Sequence, residues 1–451
     1  MPQDGQLPLQ VRDLLDRADD RQLYELLLSL RPADVAQLLV ELPKDGDRLR
    51  VFALLSPDAA ARVVEELPLE LQGAMLRMLP PEQARTVLAR MSTDDLADLV
   101  AGLKPAESRH LLELVPEEAA EVRRLMQYPP DTAGGLMTPE FIRLTEDQTA
   151  ACAIETIRRF APDAETVYYL YVTDGSGRLK GVVSLRKLVV ADPGAAVGQL
   201  MDRHVVSVPV TMDQEDVARV LRRYNLLAVP VIDERQTLLG VVTVDDVLDV
   251  INEETTEDIH RLGGSEPLEQ PYLRSRVFTV VRARVSWLLL LFVLQSVTIT
   301  IMRHYQSTLE SVLMLSFFVP LLIGTAGNAG SQASTLVIRS MAVGELTFGD
   351  FFRVVSREAV VGTALGGVMA AATWLRARLL GSPPTVGYTV TVTVMLIVVT
   401  ASVVGGSLPM IIKRLRLDPA VASSPLITTL LDATGLFIYF TVAGWILGID
   451  R

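Results

Sequence analysis

The sequence predicts a multidomain chain: an α-helical superhelical repeat domain, an α/β tandem pair, a long connecting helix and an all-α membrane domain with five transmembrane helices. Three observations predict it. A leucine–proline unit recurs every 12 residues in the first third of the chain, a strand signature occurs twice in the middle, and apolar segments of spanning length fill the end. The boundaries follow as 1–135, 136–250, 251–276 and 277–451.

Charge divides the chain at the same place. Residues 277–451 hold 7 acids and 12 bases and the preceding residues 47 and 30, so the first part is near −17 and the second near +5 of a net −12. An acidic, charged region joined to an apolar, slightly basic one is a soluble region joined to a membrane region. No nucleic-acid partner is expected, because nothing in the acidic part would neutralise a run of phosphates. The single cysteine, Cys152, excludes a disulfide framework and a thiolate metal site. No basic segment followed by an apolar stretch opens the sequence, so no cleaved signal peptide is expected.

The repeat runs through Leu55-Ser56-Pro57, Leu67-Pro68-Leu69, Leu79-Pro80-Pro81, Met91-Ser92-Thr93, Leu103-Lys104-Pro105 and Val115-Pro116-Glu117, with Leu30-Arg31-Pro32 and Leu42-Pro43-Lys44 upstream. Each unit reads as a cap or proline followed by a short helix with apolar residues at helical spacing. Such helices bury an apolar face only by stacking, which predicts a superhelical array.

The second repeat pairs Leu136-Met137-Thr138-Pro139 with Leu200-Met201-Asp202, and Leu179-Lys180-Gly181-Val182-Val183-Ser184 with Leu238-Leu239-Gly240-Val241-Val242-Thr243. Between these landmarks each copy has a helical stretch and then a β run, Val167–Val172 or Ala228–Ile232. The pattern resembles a tandem CBS pair, a module that often binds adenine nucleotides. The resemblance implies an aspartate after the last strand that holds ribose: Asp246 in the second copy, whereas the first has Lys187. ATP at the pair is therefore an open expectation, with Tyr169, Arg186 and Asp246 as candidate contacts.

Residues Asp249 to Tyr272 read as a charged helical connector broken at Gly263-Gly264 and Pro267, and the spans fall near Val285–Met302, Leu309–Met341, Glu358–Leu380, Val386–Ile412 and Pro425–Leu447. Arg274, Arg276, Arg282, Arg284, Arg339, Arg353, Arg357, Lys413, Arg414 and Arg416 flank the side shared with the soluble region; Arg303, Arg376, Arg378 and Arg451 flank the other. The excess of bases predicts a cell-membrane protein with cytoplasmic N-terminal domains and an outward C-terminus.

A charge inside a spanning helix is costly and marks a pathway or a pair. Asp432 is such a charge, and its span holds no Lys, Arg or His to pair with it. Thr428 and Thr429, one turn earlier, add oxygens, and Pro425 frees backbone carbonyls at the helix start. Hard oxygens of this kind suit Mg2+, which keeps several waters and takes one or two carboxylates. The structural alternative is a protonated aspartate bonded to a neighbouring helix. In the second span Gly324, Gly327 and Gly330 read as one small-residue packing face, with Asn328 and Gln332 one turn apart beside it; packing alone and pore contact are equally open there. Glu358 opens the third span and reads chiefly as a helix N-terminus stabiliser.

This order of parts, with Ala133-Gly134-Gly135-Leu136-Met137-Thr138-Pro139, Thr243-Val244-Asp245-Asp246-Val247-Leu248-Asp249, Glu257-Asp258-Ile259-His260 and Asp432-Ala433-Thr434-Gly435, resembles the MgtE family of magnesium channels and transporters over the whole length. The resemblance implies a homodimer in the lipid bilayer with the pore at the subunit interface. It also implies a selectivity site for a largely hydrated ion at Asp432, Thr428 and Ser424. Ser424 and Ser331 stand where that family usually, or often, has asparagine.

Carboxylate crowding predicts regulation. Asp246, Asp249, Glu253 and Glu257 share a helical face, with Asp245, Glu254 and Asp258 beside them. Like charges at this spacing repel by a few tenths of a kcal/mol per pair. Mg2+ placed between this face and Asp94, Asp95 and Asp98 would remove the repulsion and hold the domains compact, closing the pore. Asp213, Glu215 and Asp216 are further candidate ligands, although capping explains them, and Asp94 and Asp95, as well. No obligatory protein partner is evident. Four scattered histidines (His110, His204, His260 and His304) and no Gly-rich phosphate loop give no catalytic set, so an enzyme is not expected. A coupled exchanger and a membrane-anchored sensor remain alternatives to a channel.

Overall fold

Proline at the first helical turn sets the rhythm of the N-terminal region. In the computed structural model, which describes residues 7–161, 164, 166–268, 272–273, 275–306 and 312–448, helices begin at Pro57, Leu69, Pro81, Thr93 and Pro105, reproducing the 12-residue spacing. Arg274, Arg451 and Leu309, which entered the sequence reading, lie outside the described residues. Proline suits the first turn because its missing N–H has no intrahelical acceptor there and its φ is already helical. Ser56 adds a cap, its hydroxyl accepting from the Ala59 N–H at 3.3 Å. Each of the middle helices packs on the next but one, Pro32–Glu41 on Pro57–Glu65, Pro57–Glu65 on Pro81–Leu88, and Leu69–Met78 on Thr93–Gly102. The predicted superhelical array results. Its core runs from Leu39, Val64 and Leu99 into the second tandem copy at Val229, Val231 and Val242.

Each tandem copy is a three-stranded sheet. The first holds β1 (Arg143–Leu144), β2 (Tyr169–Thr173) and β3 (Leu179–Ser184); the second holds β4 (Val208–Pro209), β5 (Ala228–Ile232) and β6 (Leu238–Thr243). In both, the middle strand pairs parallel with the first and antiparallel with the third, with an irregularity near its end. β2 starts two residues later than the predicted Val167–Val172 run, because pairing with β3 begins at Tyr169 opposite Ser184. The repeated Leu-Met segments are exchanged between copies: Thr138 pairs with Val241 of β6, and Asp202 with Val182 of β3. That crossing explains the glycines at Gly181 and Gly240. A Cβ at Gly240 would lie 2.8 Å from the Thr138 carbonyl, and one at Gly181 3.0 Å from the Asp202 carbonyl.

The chain separates into two compact units, Met1–Asn252 and Glu253–Arg451. The connector helix starts earlier than the predicted Asp249 and stops at the predicted break. It is one helix, Val244–Leu262, starting directly after β6 and stopping at Gly263 and Gly264, the latter at φ +71°.

Five helices are long and apolar enough to cross a membrane: Val277–His304, Val319–Ala342, Phe351–Leu379, Pro384–Arg414 and Ser424–Leu447. The first begins eight residues before the predicted span, since Arg282 and Arg284 are carried inside the helix; long basic side chains can bury their stems and keep their heads in water. The third begins at Phe351, which puts Glu358 two turns inside it. Glu358 is therefore not a helix-start residue, as the sequence reading had it. The fourth packs against the second, third and fifth, and the first against the fifth. Their shared core includes Val390, Ile397, Ala401, Ile427, Leu436 and Phe440, and buried Tyr439 donates from its hydroxyl to the Leu315 carbonyl at 2.9 Å.

Candidate ion pathway and acidic cluster

The fifth span begins where Ser423 caps it and Pro425 occupies its first turn. Thr428 and Thr429 return their hydroxyl protons to the carbonyls of Ser424 and Pro425, each at 2.9 Å. Ser424 Oγ donates to Ser331 Oγ of the second span at 2.9 Å, and Ser331 Oγ lies 3.4 Å from Thr428 Oγ1. Three hydroxyls from two helices thus meet at one level. One turn further on is Asp432, 7% exposed, whose Oδ1 is buried without a hydrogen-bond partner. Among the described residues no cation pairs with it. Gln295 of the first span reaches its carboxyl group.

Close packing of the second and fifth spans makes this arrangement possible. A Cβ at Gly327 would lie 2.7 Å from Thr428 Cγ2, and one at Gly330 would press into Leu431 and come within 3.1 Å of Ile427. Gly324 takes no part, with nothing within 4 Å, which corrects the reading of three glycines as one packed face. Asn328 and Gln332 are exposed beside Gly324 rather than bridging the helix contact, so the second span presents a polar stripe that no described residue covers.

In the unit Met1–Asn252 a second set of oxygens gathers. Asp95 follows the cap of the helix Thr93–Gly102 and accepts from Ser92 Oγ at 2.7 Å. Glu65 accepts the Ser92 N–H at 2.9 Å, and Glu140 accepts from Thr93 N and Oγ1 at 3.1 and 2.6 Å. Asp246 accepts from Thr243 Oγ1 at 2.5 Å. Burial, with Asp245 and Asp95 nearby, pushes the Asp246 carboxyl up to about 7. Burial, with Asp95 and Glu140 nearby, raises Glu65 to about 7. Asp95 is raised by burial and then by Asp245 and Asp249, and Glu66 by burial and then by Asp249 and Asp95. The array and the helix after β6 therefore face each other with acids on both sides. Among the described residues no three acids converge on a single ligand point.

The other predicted acids divide. Asp213 caps its helix by accepting from Glu215 N at 2.9 Å, and Arg219 pairs with both Glu215 and Asp216. In the unit Glu253–Arg451, Arg261 pairs with Glu257 and with Asp418. Burial raises Asp258, with Asp418 and Glu254 adding to it. Sequence reasoning missed Glu65, Glu66, Glu140, Gln295 and Asp418. Asp418 had a weak signal, an acid just before Pro419 in the short link between two spans.

Family models match in the same order as these parts: an "MgtE intracellular N domain" over residues 10–131, CBS domains over 133–194 and 197–253, and "MgtE: Divalent cation transporter" over 319–442. The magnesium transporter MgtE of Thermus thermophilus is 42% identical over 444 residues, spanning 97% of this chain and 98% of the relative. The chain belongs to the MgtE family. The magnesium transporters MgtE of Bacillus subtilis and Enterococcus faecalis are 32% and 34% identical, each over at least 95% of both chains. The crystal structure of the cytosolic domain of the Mg2+ channel MgtE in complex with ATP is 44% identical and aligns with 54% of this chain and 99% of its own, at a TM-score of 0.52. The soluble part of a magnesium transporter aligns similarly, at 35% identity, 56% of this chain and a TM-score of 0.52. The MgtE family consists of transporters, not enzymes, and with five apolar helices this member is a multi-pass membrane protein.

The MgtE fold also places the nucleotide candidates. A cleft of about 320 Å³ in the CBS pair is lined by Tyr169, Tyr171, Lys187, His204 and Tyr224 among others. Tyr171 is buried there with its hydroxyl unpartnered. Arg186 does not line this cleft; its neighbour Lys187 does. Asp246 does not line it either, being placed in the acidic cluster instead.

Proposed function

We propose that this protein passes Mg2+ into the cytoplasm as a homodimer, and that Mg2+ bound to its cytoplasmic acids closes it. The observation that carries the reading is Asp432, a buried carboxylate with an unpartnered oxygen, no cation beside it among the described residues and the hydroxyls of Thr428, Ser424 and Ser331 below. One carboxylate per subunit with several hydroxyls matches an ion that sheds little of its hydration shell. The uncovered stripe of Gly324, Asn328 and Gln332 is the surface a second copy would complete. The flanking bases favour cytoplasmic N-terminal domains and an outward C-terminus.

Closure follows from the carboxylates Glu65, Glu66, Asp95, Asp245, Asp246 and Asp249. Bringing them together is unfavourable while they are ionised, and Mg2+ between them offsets the repulsion. When Mg2+ is scarce the domains part and the connector helix releases the pore. ATP binding at the CBS cleft is supported by the ATP-bound relative and by the aromatic walls of Tyr169 and Tyr224.

The test is Mg2+ uptake into liposomes holding the purified protein, unsubstituted against Asp432→Ala, in a low-Mg2+ bath that keeps the gate open. Loss of flux or of selectivity in the variant is expected. Equal flux would make Asp432 structural and end the proposal.

A further inference from the structure

The last turn of the connector helix is seated on the membrane helices of its own unit, and one arginine decides whether that seat is favourable. Within Glu253–Arg451, the Arg261 guanidinium pairs with Glu257, one turn back on the same helix, and with Asp418 in the link between the fourth and fifth spans. Asp418 is fixed for this contact, since its other carboxylate oxygen accepts the Ala420 N–H at 2.8 Å and starts the turn Pro419–Val421. Both partners are partly buried, with 35% and 28% of their side chains exposed, so salt screens the pair less than one on the open surface.

Three further contacts carry the helix end onto the spans. Leu262 packs against the membrane core. Gly264 turns the chain at φ +71°, and a Cβ there would lie 3.2 Å from Pro425 Cγ, in the first turn of the fifth span. The Glu266 N–H then donates to the Ala283 carbonyl of the first span at 3.0 Å. Pro425 follows Ser424, whose hydroxyl meets Ser331 and whose carbonyl accepts from Thr428. The connector thus ends against the residue next to the hydroxyl level of the candidate pathway, on the side away from Asp432.

Charge makes this seat conditional. Burial raises the Asp258 carboxyl, with Asp418 and Glu254 adding to it. Docking gathers Glu254, Glu257, Asp258 and Asp418 around the Arg261 guanidinium. Like charges brought together repel, and a fixed cation among them offsets the repulsion. Unlike a bound ion, this cation is part of the chain and does not leave when the Mg2+ concentration falls. We propose that the Arg261–Asp418 pair is an autoinhibitory latch, which holds the connector end on the fifth span and sets the Mg2+ concentration at which the pore closes. The latch supplies part of the closed state without Mg2+, and Mg2+ on the acids of the other unit supplies the remainder. This rests on the reading that Mg2+ on the cytoplasmic domains closes the pore through the connector.

The test is the Mg2+ current through patches excised from liposomes holding the full chain, with the Mg2+ that bathes the cytoplasmic domains stepped through the closing range. Arg261→Gln removes the charge and keeps a polar side chain. Its half-closing Mg2+ concentration should rise about tenfold, the size of one hydrogen bond to a charged group, while the current at scarce Mg2+ stays that of the unsubstituted chain. Asp418→Asn keeps an oxygen for the Ala420 N–H and should shift closure by a similar factor. The two together should shift it no further than either alone, because both remove the same contact. Gly264→Ala leaves every charge in place but pushes the connector off Pro425, and it too should raise the half-closing concentration. That variant keeps the latch testable if the charge variants do not fold, and normal closure in it overturns the seat. An unchanged half-closing concentration in Arg261→Gln overturns the latch. So does a lower one, which would make the arginine a competitor of Mg2+ for these acids, and so do additive shifts in the double variant. If Mg2+ never closes the unsubstituted chain, the gating reading fails and the latch fails with it.

Discussion

Replacing Asp246 by asparagine should remove much of the need for Mg2+ in holding the helical array against the CBS pair. Asp246 titrates near 7 rather than its ordinary 3.8, from burial first and then from Asp245 and Asp95. At about 1.4 kcal/mol per pH unit, that displacement corresponds to roughly 4 kcal/mol of cost to the assembled state when the carboxylate is ionised. The sign follows from proton counting. Between about pH 4 and pH 7 the assembled state holds a proton that the separated or unfolded chain has lost, so stability falls as pH rises through this window, and the whole cost is present above it. Glu65, also raised to about 7, acts in the same direction. Asparagine mimics the protonated form and keeps an oxygen for the Thr243 hydroxyl. If even half of the roughly 4 kcal/mol is recovered, the Mg2+ concentration for half-maximal protection falls at least tenfold. Amide hydrogen exchange across 92–98 and 244–252 reads this directly. The unsubstituted chain without Mg2+ should be protected at pH 5.5 and open at pH 8, with Mg2+ restoring protection at pH 8. Asp246→Asn should stay protected to a higher pH and need less Mg2+ at pH 8, the remainder of the pH dependence coming from Glu65. A variant with the same pH and Mg2+ dependence as the unsubstituted chain would refute carboxylate crowding as the basis of the response.

Gly330→Ala should lower thermal stability in detergent, because its methyl group meets Leu431 and comes 3.3 Å from the Ala401 carbonyl. Overpacking of this sort costs about 1–3 kcal/mol. Gly367→Ala in the third span should not lower thermal stability, since a Cβ there meets nothing within 4 Å; equal losses in the two would show that the packing seam is misassigned. Thr428→Val keeps the shape of the side chain but removes the hydroxyl joined to Ser424 and Ser331. Mg2+ uptake should fall about tenfold, the equivalent of one hydrogen bond of about 1.4 kcal/mol, and unchanged uptake would take the hydroxyl group off the ion path.

Elements fixed by local chemistry were legible in the sequence. The proline-led helices were, because proline at the first turn is a strong punctuation mark, and so were β3, β5 and β6, whose runs match the observed strands residue for residue. Helix limits were less legible where a span carries charge inside its first turns: Arg282 and Arg284 hid the start of the first, and Arg353 and Arg357 that of the third. The glycine face failed for a geometric reason. Residues six apart on a helix of 3.6 residues per turn are separated by about 120° around its axis, so Gly324 and Gly330 cannot share a narrow contact. Asp432 stood out because a lone charge in an apolar run is visible without any partner. Glu65, Glu66, Glu140 and Asp418 were not, since each is one acid among many until folding brings it beside Asp95, Asp249 or Arg261.

On the function proposed above, the two carboxylate systems solve opposite problems with one chemistry. A conducting site must attract a cation and let it leave, which favours few charges and ligands that reach the ion through water. Asp432, alone in its span above neutral hydroxyls, is built that way. A sensor must hold its ion long enough to change a domain contact, and must let go when the concentration drops. Crowding supplies this, because each acid around Asp95 and Asp246 raises the cost of assembling the others in ionised form. Ion binding then gains the whole of that stored repulsion at once, and the response steepens with the number of acids. Removing one sensor acid should therefore lower the Mg2+ requirement and blunt the response, whereas removing Asp432 leaves the conducting site with no charge at all. The difference in outcome follows from how many carboxylates share each site, and it holds whichever sensor acids touch the ion directly.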